Sequence, residues 1–279
     1  MLHFDRVILF GICAALLGGC SANAFTRAEA KVSRTGQIMD GAPIVISHRG
    51  VPPQAADHSF EGYDLAIEQG TCWLELDINT TCDGYLLVSH DTALDLDGEM
   101  AQEIRDLALE EIKAYTRPCG EPFYELEEVF ARYGGQVRYL LDLKDLGEGN
   151  IGVGRLLYLL DQYGLCEQVL VEAFSQDLLG AVYSENQKIP LILLFAADTT
   201  LAAMEEALTS VPYTTGVGVE YSALTQEVEH ALHQMKQKIF VFFQEETLYQ
   251  FCSIQNFEVN GIITDYTERS FSILALFHS

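Results

Sequence analysis

Three short charged segments combine the residue types that phosphodiester cleavage around a divalent cation requires. They are Ser47-His48-Arg49-Gly50, Glu75-Leu76-Asp77 and His90-Asp91, all within residues 47–91. Imidazole titrates near neutral pH, the planar fork of arginine fits two phosphate oxygens, and carboxylates bind hard cations. These residue types at this spacing predict metal-assisted chemistry on a phosphate ester.

A second pair of charged residues repeats the spacing of the first carboxylates. Glu75 and Asp77 are two residues apart on a predicted strand, so both side chains point to one face, where they repel unless a cation or proton intervenes. Asp142 and Lys144 have the same spacing at the end of the next core strand. Asp142 can complete the metal shell while Lys144 faces the phosphate, although this pair alone is equally typical of a structural ion pair. Oxygen ligands without a cysteine cluster favour Ca²⁺ or Mg²⁺ over zinc or copper.

The segments that must position these residues alternate between short apolar runs and amphipathic stretches. Eight runs are predicted as buried strands: Ile44–Ser47, Trp73–Ile78, Val137–Leu143, Val169–Phe174, Leu191–Phe195, Val217–Tyr221, Ile239–Phe243 and Ile262–Asp265. Amphipathic patterns over 59–69, 126–133 and 226–235 predict helices. This order predicts a (β/α)8 TIM barrel, in which strand ends carry the chemistry.

One excursion interrupts the alternation after the second strand. Asp83-Gly84 predicts a turn, and Tyr85–Ser89 a further strand that folds back and brings His90 to the barrel mouth. The region Thr92–Pro122 is longer than a simple loop and contains a predicted helix over Met100–Tyr115. We interpret it as a small excursion over the mouth and not as a second domain.

Composition limits the possible partners. The 279 residues include 41 acidic and 16 basic side chains, and 49% are hydrophobic, which suffices for one large buried core. Such an acidic chain without a basic arm argues against a nucleic-acid partner.

The first residues are predicted to be an export signal. Residues 1–19 carry Arg6 before a short apolar run, residues 20–41 form a polar linker, and the barrel covers 42–279. Leu17-Gly18-Gly19-Cys20 resembles a bacterial lipoprotein box, which implies a lipid anchor on Cys20 and a place in the cell envelope, at the outer membrane or in the periplasm. The alternative is an ordinary secretory signal cut near Ala22-Asn23-Ala24, which implies a secreted protein. Pairing among Cys72, Cys82, Cys119, Cys166 and Cys252 stays open.

The combined motifs resemble the glycerophosphodiester phosphodiesterase family over about residues 42–270. Its pattern runs HRG, a PENT-like segment, ExD, a DG turn, HD and a later ExK. His48-Arg49-Gly50, Glu75-Leu76-Asp77, Asp83-Gly84 and His90-Asp91 match it, and Gly261–Tyr266 resembles its closing strand. Aspartate replaces glutamate at Asp57 and at Asp142. The late WTVN-like segment is replaced by Phe242-Phe243-Gln244-Glu245, which affects the substrate pocket more than the chemistry.

The resemblance implies a role for each matched residue. The Ca²⁺ or Mg²⁺ ligands would be Asp57, Glu75, Asp77 and Asp142. Arg49 and Lys144 would neutralise the phosphate, and His48 and His90 would serve as general base and general acid. His58 stands where the family has Asn, so we expect a role at the helix start or behind the metal ligands.

The implied reaction is hydrolysis of a small glycerophosphodiester to glycerol 3-phosphate and an alcohol. The nucleophile is either water or the substrate's own glycerol hydroxyl, which would form a cyclic phosphate first. Two alternatives remain from the sequence: a related phosphodiesterase that acts on lysophospholipids or other phosphodiesters, and a non-catalytic cell-surface barrel.

Overall fold

Eight apolar strands lie side by side in parallel and close into a barrel. The computed structural model describes residues 43–95 and 101–277. Its strands are β1 (Ile44–Ser47), β2 (Trp73–Thr80), β3 (Leu86–Val88), β4 (Ala93–Leu94), β5 (Gln102–Glu103), β6 (Tyr124–Glu125), β7 (Arg138–Leu143), β8 (Val169–Ala173), β9 (Leu191–Phe195), β10 (Gly216–Glu220), β11 (Lys238–Phe242) and β12 (Gly261–Thr264). The barrel follows the order β1, β2, β7, β8, β9, β10, β11 and β12, and β12 pairs with β1. The predicted TIM barrel is confirmed.

Helices connect the barrel strands on the outside. They are α1 (Phe60–Glu68), α2 (Leu109–Lys113), α3 (Leu126–Tyr133), α4 (Ile151–Gln162), α5 (Gln176–Glu185), α6 (Leu201–Ser210), α7 (Gln226–Gln234), α8 (Leu248–Ser253) and α9 (Thr267–Phe277). The hydroxyl of Ser59 starts α1 by accepting a hydrogen bond from the Gly62 amide at 2.9 Å. Within residues 43–95 and 101–277, no helix is long and apolar enough to cross a bilayer.

The barrel interior is filled by side chains from alternate strand positions. This inner cluster comprises Ile44, Ile46, Trp73, Leu140, Leu170, Ile192, Phe240 and Ile263. The ring of Phe240 fits because glycine stands opposite it: a Cβ at Gly261 would lie 2.5 Å from Phe240 Cδ1. Trp73 packs in this cluster, so the lower barrel is a solid support for the polar residues above it.

Removing the Phe240 ring is expected to destabilise the barrel strongly. Phe240→Ala deletes a side chain that is 1% exposed, and the cavity left between rigid strands should cost about 3–5 kcal/mol of unfolding free energy. Urea denaturation measures this. Tyr249→Ala on α8, where the side chain is 65% exposed, is the control and should change stability by less than about 0.5 kcal/mol. Equal losses in the two variants would contradict this account of the core.

The excursion agrees with the sequence at its start and differs further on. β3 runs antiparallel to β2 and carries the chain to His90, as predicted. The helix predicted over Met100–Tyr115 is wrong for its described part, where β5, a 3-10 turn at Ile104–Asp106 and the short α2 follow one another. The backbone leaves the helical path because the Leu107 carbonyl accepts from the Cys82 amide at 2.9 Å and the Asp83 carboxylate accepts from the Leu109 amide at 3.1 Å. Met100, the predicted signal (1–19) and the linker (20–41) lie outside the described residues.

Candidate active site

The turn after β1 presents His48 and Arg49 at the barrel mouth. His48 Nδ1 lies 2.7 Å from Asp265 Oδ1, at the end of β12. Since a carboxylate only accepts, Nδ1 carries the proton and Nε2 remains available to take one. Arg49 adopts a positive φ of 54°, and its amide donates to Glu75 Oε2 at 2.9 Å. The short strand and its sharp turn therefore bring an imidazole with an available ring nitrogen and a guanidinium group to one place.

Carboxylates from three neighbouring strands form a row just inside the mouth. Asp77 on β2 is the register partner of Asp142 on β7, which in turn is the partner of Glu172 on β8. Glu75 lies two residues before Asp77 on the same face, and all four side chains are buried. The parallel register thus brings together side chains that are far apart along the chain.

Asp77 is the most heavily contacted member of this row. Its carboxylate lies 2.8 Å from Lys144 Nζ, 3.0 Å from Arg49 Nε and 2.9 Å from His58 Nε2. Burial by itself would raise the pKa of Asp77, but His58, Lys144 and Arg49 together hold that pKa well below its usual range. Its lowered pKa favours the ionised form of Asp77, whose carboxylate lies between the two cations Arg49 and Lys144.

In the other three carboxyl groups, burial outweighs the nearby positive charges of Arg49 and Lys144. Burial and the neighbouring negative charges raise the pKa values of Glu75 and Glu172 well above the usual range, and burial raises that of Asp142 to about 6. Lys144 contacts one oxygen of Asp142. The other oxygen, Oδ1, and Glu172 Oε2 are buried and accept no hydrogen bond from any described residue. The site has more negative charge than its own side chains balance.

These residues fit a hard divalent cation. Ligand atoms of Glu75, Asp142 and Glu172 all lie within 4.8 Å of one another, and so do those of His58, Glu75 and Asp77. Buried oxygens without a donor are what an oxygen-binding ion such as Ca²⁺ or Mg²⁺ requires. The first group includes the unpartnered oxygens, so it is the better fit.

Asp57 is not brought to either carboxylate group. Its side chain is 40% exposed and accepts from Arg117 Nη2 at 2.6 Å, while its carbonyl accepts from Nη1 of the same arginine. Its neighbour His58 turns inward instead, with a positive φ of 49°, and bridges Asp77 and the Tyr63 hydroxyl. The structure therefore does not support Asp57 as a metal ligand, and it gives His58 a supporting position behind Asp77.

His90 lines a side pocket. Its Nδ1 lies 2.9 Å from Asp91 Oδ1, and the side chain is 44% exposed. The pocket has a volume of about 290 Å³ and is also lined by Arg49, Arg117 and Phe123. It lies under the excursion and is large enough for a small alcohol group.

Comparison with known proteins identifies the chain. The sequence profile of the Glycerophosphoryl diester phosphodiesterase family matches residues 48–269. A glycerophosphodiester phosphodiesterase of Bacillus subtilis is 26% identical over 253 residues, covering 81% of this chain and 84% of the relative. "Probable glycerophosphodiester phosphodiesterase 1" of Mycobacterium tuberculosis is 31% identical over 213 residues, covering 68% of this chain and 77% of the relative. The chain belongs to this phosphodiesterase family.

Solved structures agree on the fold. The chain superposes on a phosphodiesterase from Oleispira antarctica, solved in complex with the product sn-glycerol-3-phosphate, with a TM-score of 0.71 and 22% identity over 83% of this chain and 96% of the other. The structure of the "Putative glycerophosphoryl diester phosphodiesterase" from Silicibacter pomeroyi superposes with a TM-score of 0.73 and 19% identity, over 84% of this chain and 94% of the other. Family membership makes the chain a phosphoric diester hydrolase, which decides against the non-catalytic barrel.

The sequence did not point to three residues of this phosphodiesterase site. Glu172 is the one charged residue in its predicted apolar strand. Like Asp142, it occupies a strand position on the face that points into the barrel, and this alternation was a usable signal. Asp265 was recognised only as part of the closing strand, and its contact with His48 spans 217 positions. Arg117 lies in the excursion, where no periodicity indicated its direction.

The metal-free phosphodiesterase is expected to become more stable as the pH falls from about 7 to about 5. The pKa values of Glu75, Asp142 and Glu172 lie above their unfolded values, so the native state binds more protons and loses stability as the pH rises. His58 makes stability rise with pH, because burial lowers its pKa, but this is one group and the three carboxyl groups act in the other direction. Melting curves in EDTA at several pH values measure this. A melting temperature that falls steadily on acidification over this range would contradict it.

Proposed function

We propose that this enzyme hydrolyses glycerophosphodiesters to glycerol 3-phosphate and an alcohol in a metal-dependent reaction. The observation that supports the proposal is the meeting of a histidine, two cationic side chains and a carboxylate row with unpartnered buried oxygens at one barrel mouth. The names of its relatives point to the same substrate class.

Arg49 and Lys144 would bind the phosphate. Both lie beside the Asp77 carboxylate, Lys144 at 2.8 Å and Arg49 at 3.0 Å, so the negative charge of Asp77 keeps them at the mouth before substrate arrives. Positioned cations of this kind neutralise charge on the non-bridging oxygens as the bond order around phosphorus changes. Their anchoring on one buried anion supports a role in positioning the scissile diester.

His48 and His90 would move the protons. His48 Nδ1 donates a hydrogen bond to Asp265, which leaves Nε2 available. His48 would therefore accept the proton of the nucleophile, which is either water or the substrate's glycerol hydroxyl. His90 lies beside the pocket that suits a leaving alcohol, so it would protonate that oxygen as the P–O bond breaks. The two histidines would exchange these roles when a cyclic phosphate is opened by water.

A Ca²⁺ or Mg²⁺ ion would be held by Glu75 and Asp142, with Asp77 beside them. When bound, such an ion supplies Lewis-acid polarisation of a non-bridging phosphate oxygen. Support comes from the buried oxygens without donors in this row.

The direct test offers the purified protein glycerophosphocholine with calcium, magnesium or EDTA. We expect glycerol 3-phosphate release that EDTA abolishes and a divalent cation restores. Absence of release from this and related glycerophosphodiesters would overturn the proposal. Release that persists in EDTA would overturn its metal dependence.

A lysophospholipid substrate is the second candidate. Phe174 is 51% exposed and its ring lies 6.0 Å from that of Phe242 in an edge-to-face contact, which leaves an apolar surface beyond the ends of β8 and β11. A rat relative named Lysophospholipase D is 26% identical over 160 residues, or 53% of this chain. Release of lysophosphatidic acid from lysophosphatidylcholine, without activity on glycerophosphocholine, would favour this candidate.

We also propose that the enzyme is exported and anchored through a lipid on Cys20, in the cell envelope. The support is the box Leu17-Gly18-Gly19-Cys20. Metabolic labelling with a palmitate analogue should mark the wild type and not Cys20→Ala. A labelled Cys20→Ala variant would overturn the anchor, and an unlabelled wild type recovered from the medium would indicate secretion.

A further inference from the structure

We propose that Glu172 is a ligand of the divalent cation and that, with Glu172, this site selects calcium over magnesium. The inference rests on the proposed metal dependence and deepens it. None of the quoted family motifs includes Glu172, which lies on β8 in an otherwise apolar run.

Glu172 is placed as a ligand would be. Its side chain is 3% exposed, and it stands beside Asp142 in the register of β7 and β8. Its carboxylate faces the barrel interior, because a Cβ added at Gly218 on β10 would lie 3.8 Å from Glu172 Oε2. Oε2 accepts no hydrogen bond from the described part of the chain, although a buried carboxylate is costly without a partner.

The charges of the site match those of a divalent cation. With all four groups ionised, as binding to a cation requires, the carboxylates of Glu75, Asp77, Asp142 and Glu172 contribute four negative charges. Arg49 and Lys144 contribute two positive charges. The excess of two negative charges is balanced by one divalent cation. Without Glu172 the excess would be one.

The position of that cation follows from which oxygens are already engaged. His58 and Asp77 are bound to each other at 2.9 Å, and the other ring nitrogen of His58 is bound to the Tyr63 hydroxyl. Asp142 Oδ1 and Glu172 Oε2 have no hydrogen-bond partner among the described residues, and Glu75 offers a ligand atom within 4.8 Å of ligand atoms of both residues. The ion therefore belongs with Glu75, Asp142 and Glu172.

A buried cage of carboxylates suits calcium better than magnesium. Ca²⁺ takes six to eight oxygens in flexible geometry and accepts bidentate carboxylates. Mg²⁺ requires a small octahedron, keeps several waters and usually uses only one or two carboxylates. The third carboxylate from Glu172 therefore adds oxygens that calcium can use and takes space that magnesium-bound water would need.

The test measures Ca²⁺ and Mg²⁺ binding to the purified protein by titration calorimetry. We expect the wild type to bind Ca²⁺ more tightly than Mg²⁺, and Glu172→Gln to weaken Ca²⁺ binding about 10–100-fold while Mg²⁺ binding changes much less. Glu220→Gln is the matched control. It removes a buried glutamate on β10 that already accepts from the Ser222 amide at 2.7 Å, so it should leave both affinities within about threefold.

Three results would overturn the inference: unchanged Ca²⁺ affinity in Glu172→Gln, equal losses in the control, or a wild type that prefers Mg²⁺. If Glu172→Gln fails to fold, Glu172→Asp serves instead. It keeps the negative charge but holds the carboxylate oxygens one methylene further from the ion, so the ratio of Ca²⁺ to Mg²⁺ affinity should fall in part. Failure of the proposed function is distinguishable. If the protein binds Ca²⁺ through Glu172 but releases no glycerol 3-phosphate, the result supports the Glu172 inference and contradicts the proposed substrate.

Discussion

Replacing Asp77 with asparagine is expected to abolish phosphodiester hydrolysis and to cost about 3–5 kcal/mol of unfolding free energy. The side chain keeps its shape but loses the charge that holds Arg49, Lys144 and the His58 proton. Arg49 would then lie beside a buried neutral amide and Lys144 would keep only Asp142 as a partner, so the two cations would no longer be held together for the phosphate. Urea denaturation and a glycerol 3-phosphate release assay measure the two effects.

Asp64→Asn is the matched control, because it makes the same chemical change at an exposed ion pair. Asp64 contacts Arg132, and the two side chains are 43% and 46% exposed. Solvent screens such a pair, so the loss should be about 1 kcal/mol or less, with activity retained. Similar losses in Asp77→Asn and Asp64→Asn would show that the buried network does not orient the site.

Replacing His48 with glutamine is expected to lower kcat by about 10²–10⁴-fold without lowering the melting temperature. Glutamine keeps a polar group near Asp265 but cannot take a proton from the nucleophile at neutral pH. Substrate binding should persist, because Arg49 and Lys144 are unchanged, so KM should move little. Steady-state kinetics on a glycerophosphodiester give both constants.

His230→Gln on the exposed side of α7 is the control for the histidine substitution. It should leave kcat unchanged, because α7 lies on the outside of the barrel. A His48→Gln variant with wild-type kcat would remove His48 from the proton transfer and would leave Asp265 without a catalytic purpose.

Much of the barrel could be predicted because its strands are local apolar runs. β1 and β9 have the bounds that the sequence predicted, and the other barrel strands shift at their ends by one or two residues. The excursion was less predictable. Its helix is shorter because the Asp83 carboxylate draws the Leu109 amide out of a helical path, and this contact joins residues 26 positions apart.

The site was predictable where chemistry and strand ends coincide. His48, Arg49, Glu75, Asp77, Asp142 and Lys144 lie together as expected. Asp57 and His58 show the limit: they are neighbours in the chain, and the positive φ of His58 turns only the histidine inward. The sequence pattern favoured Asp57 as a metal ligand, because a sequence does not show the backbone conformation that turns one side chain inward and its neighbour outward.

By itself, the sequence determined the family, the barrel and the inventory of histidines, cationic side chains and carboxylates, since these depend on residue types and local periodicity. Only the tertiary structure decided which carboxylates share a place. The register of β2, β7 and β8 aligns Asp77, Asp142 and Glu172. The physical reason is that strand register and turn geometry arise from long-range packing, and the excess charge of a buried site exists only after distant carboxylates have been brought together.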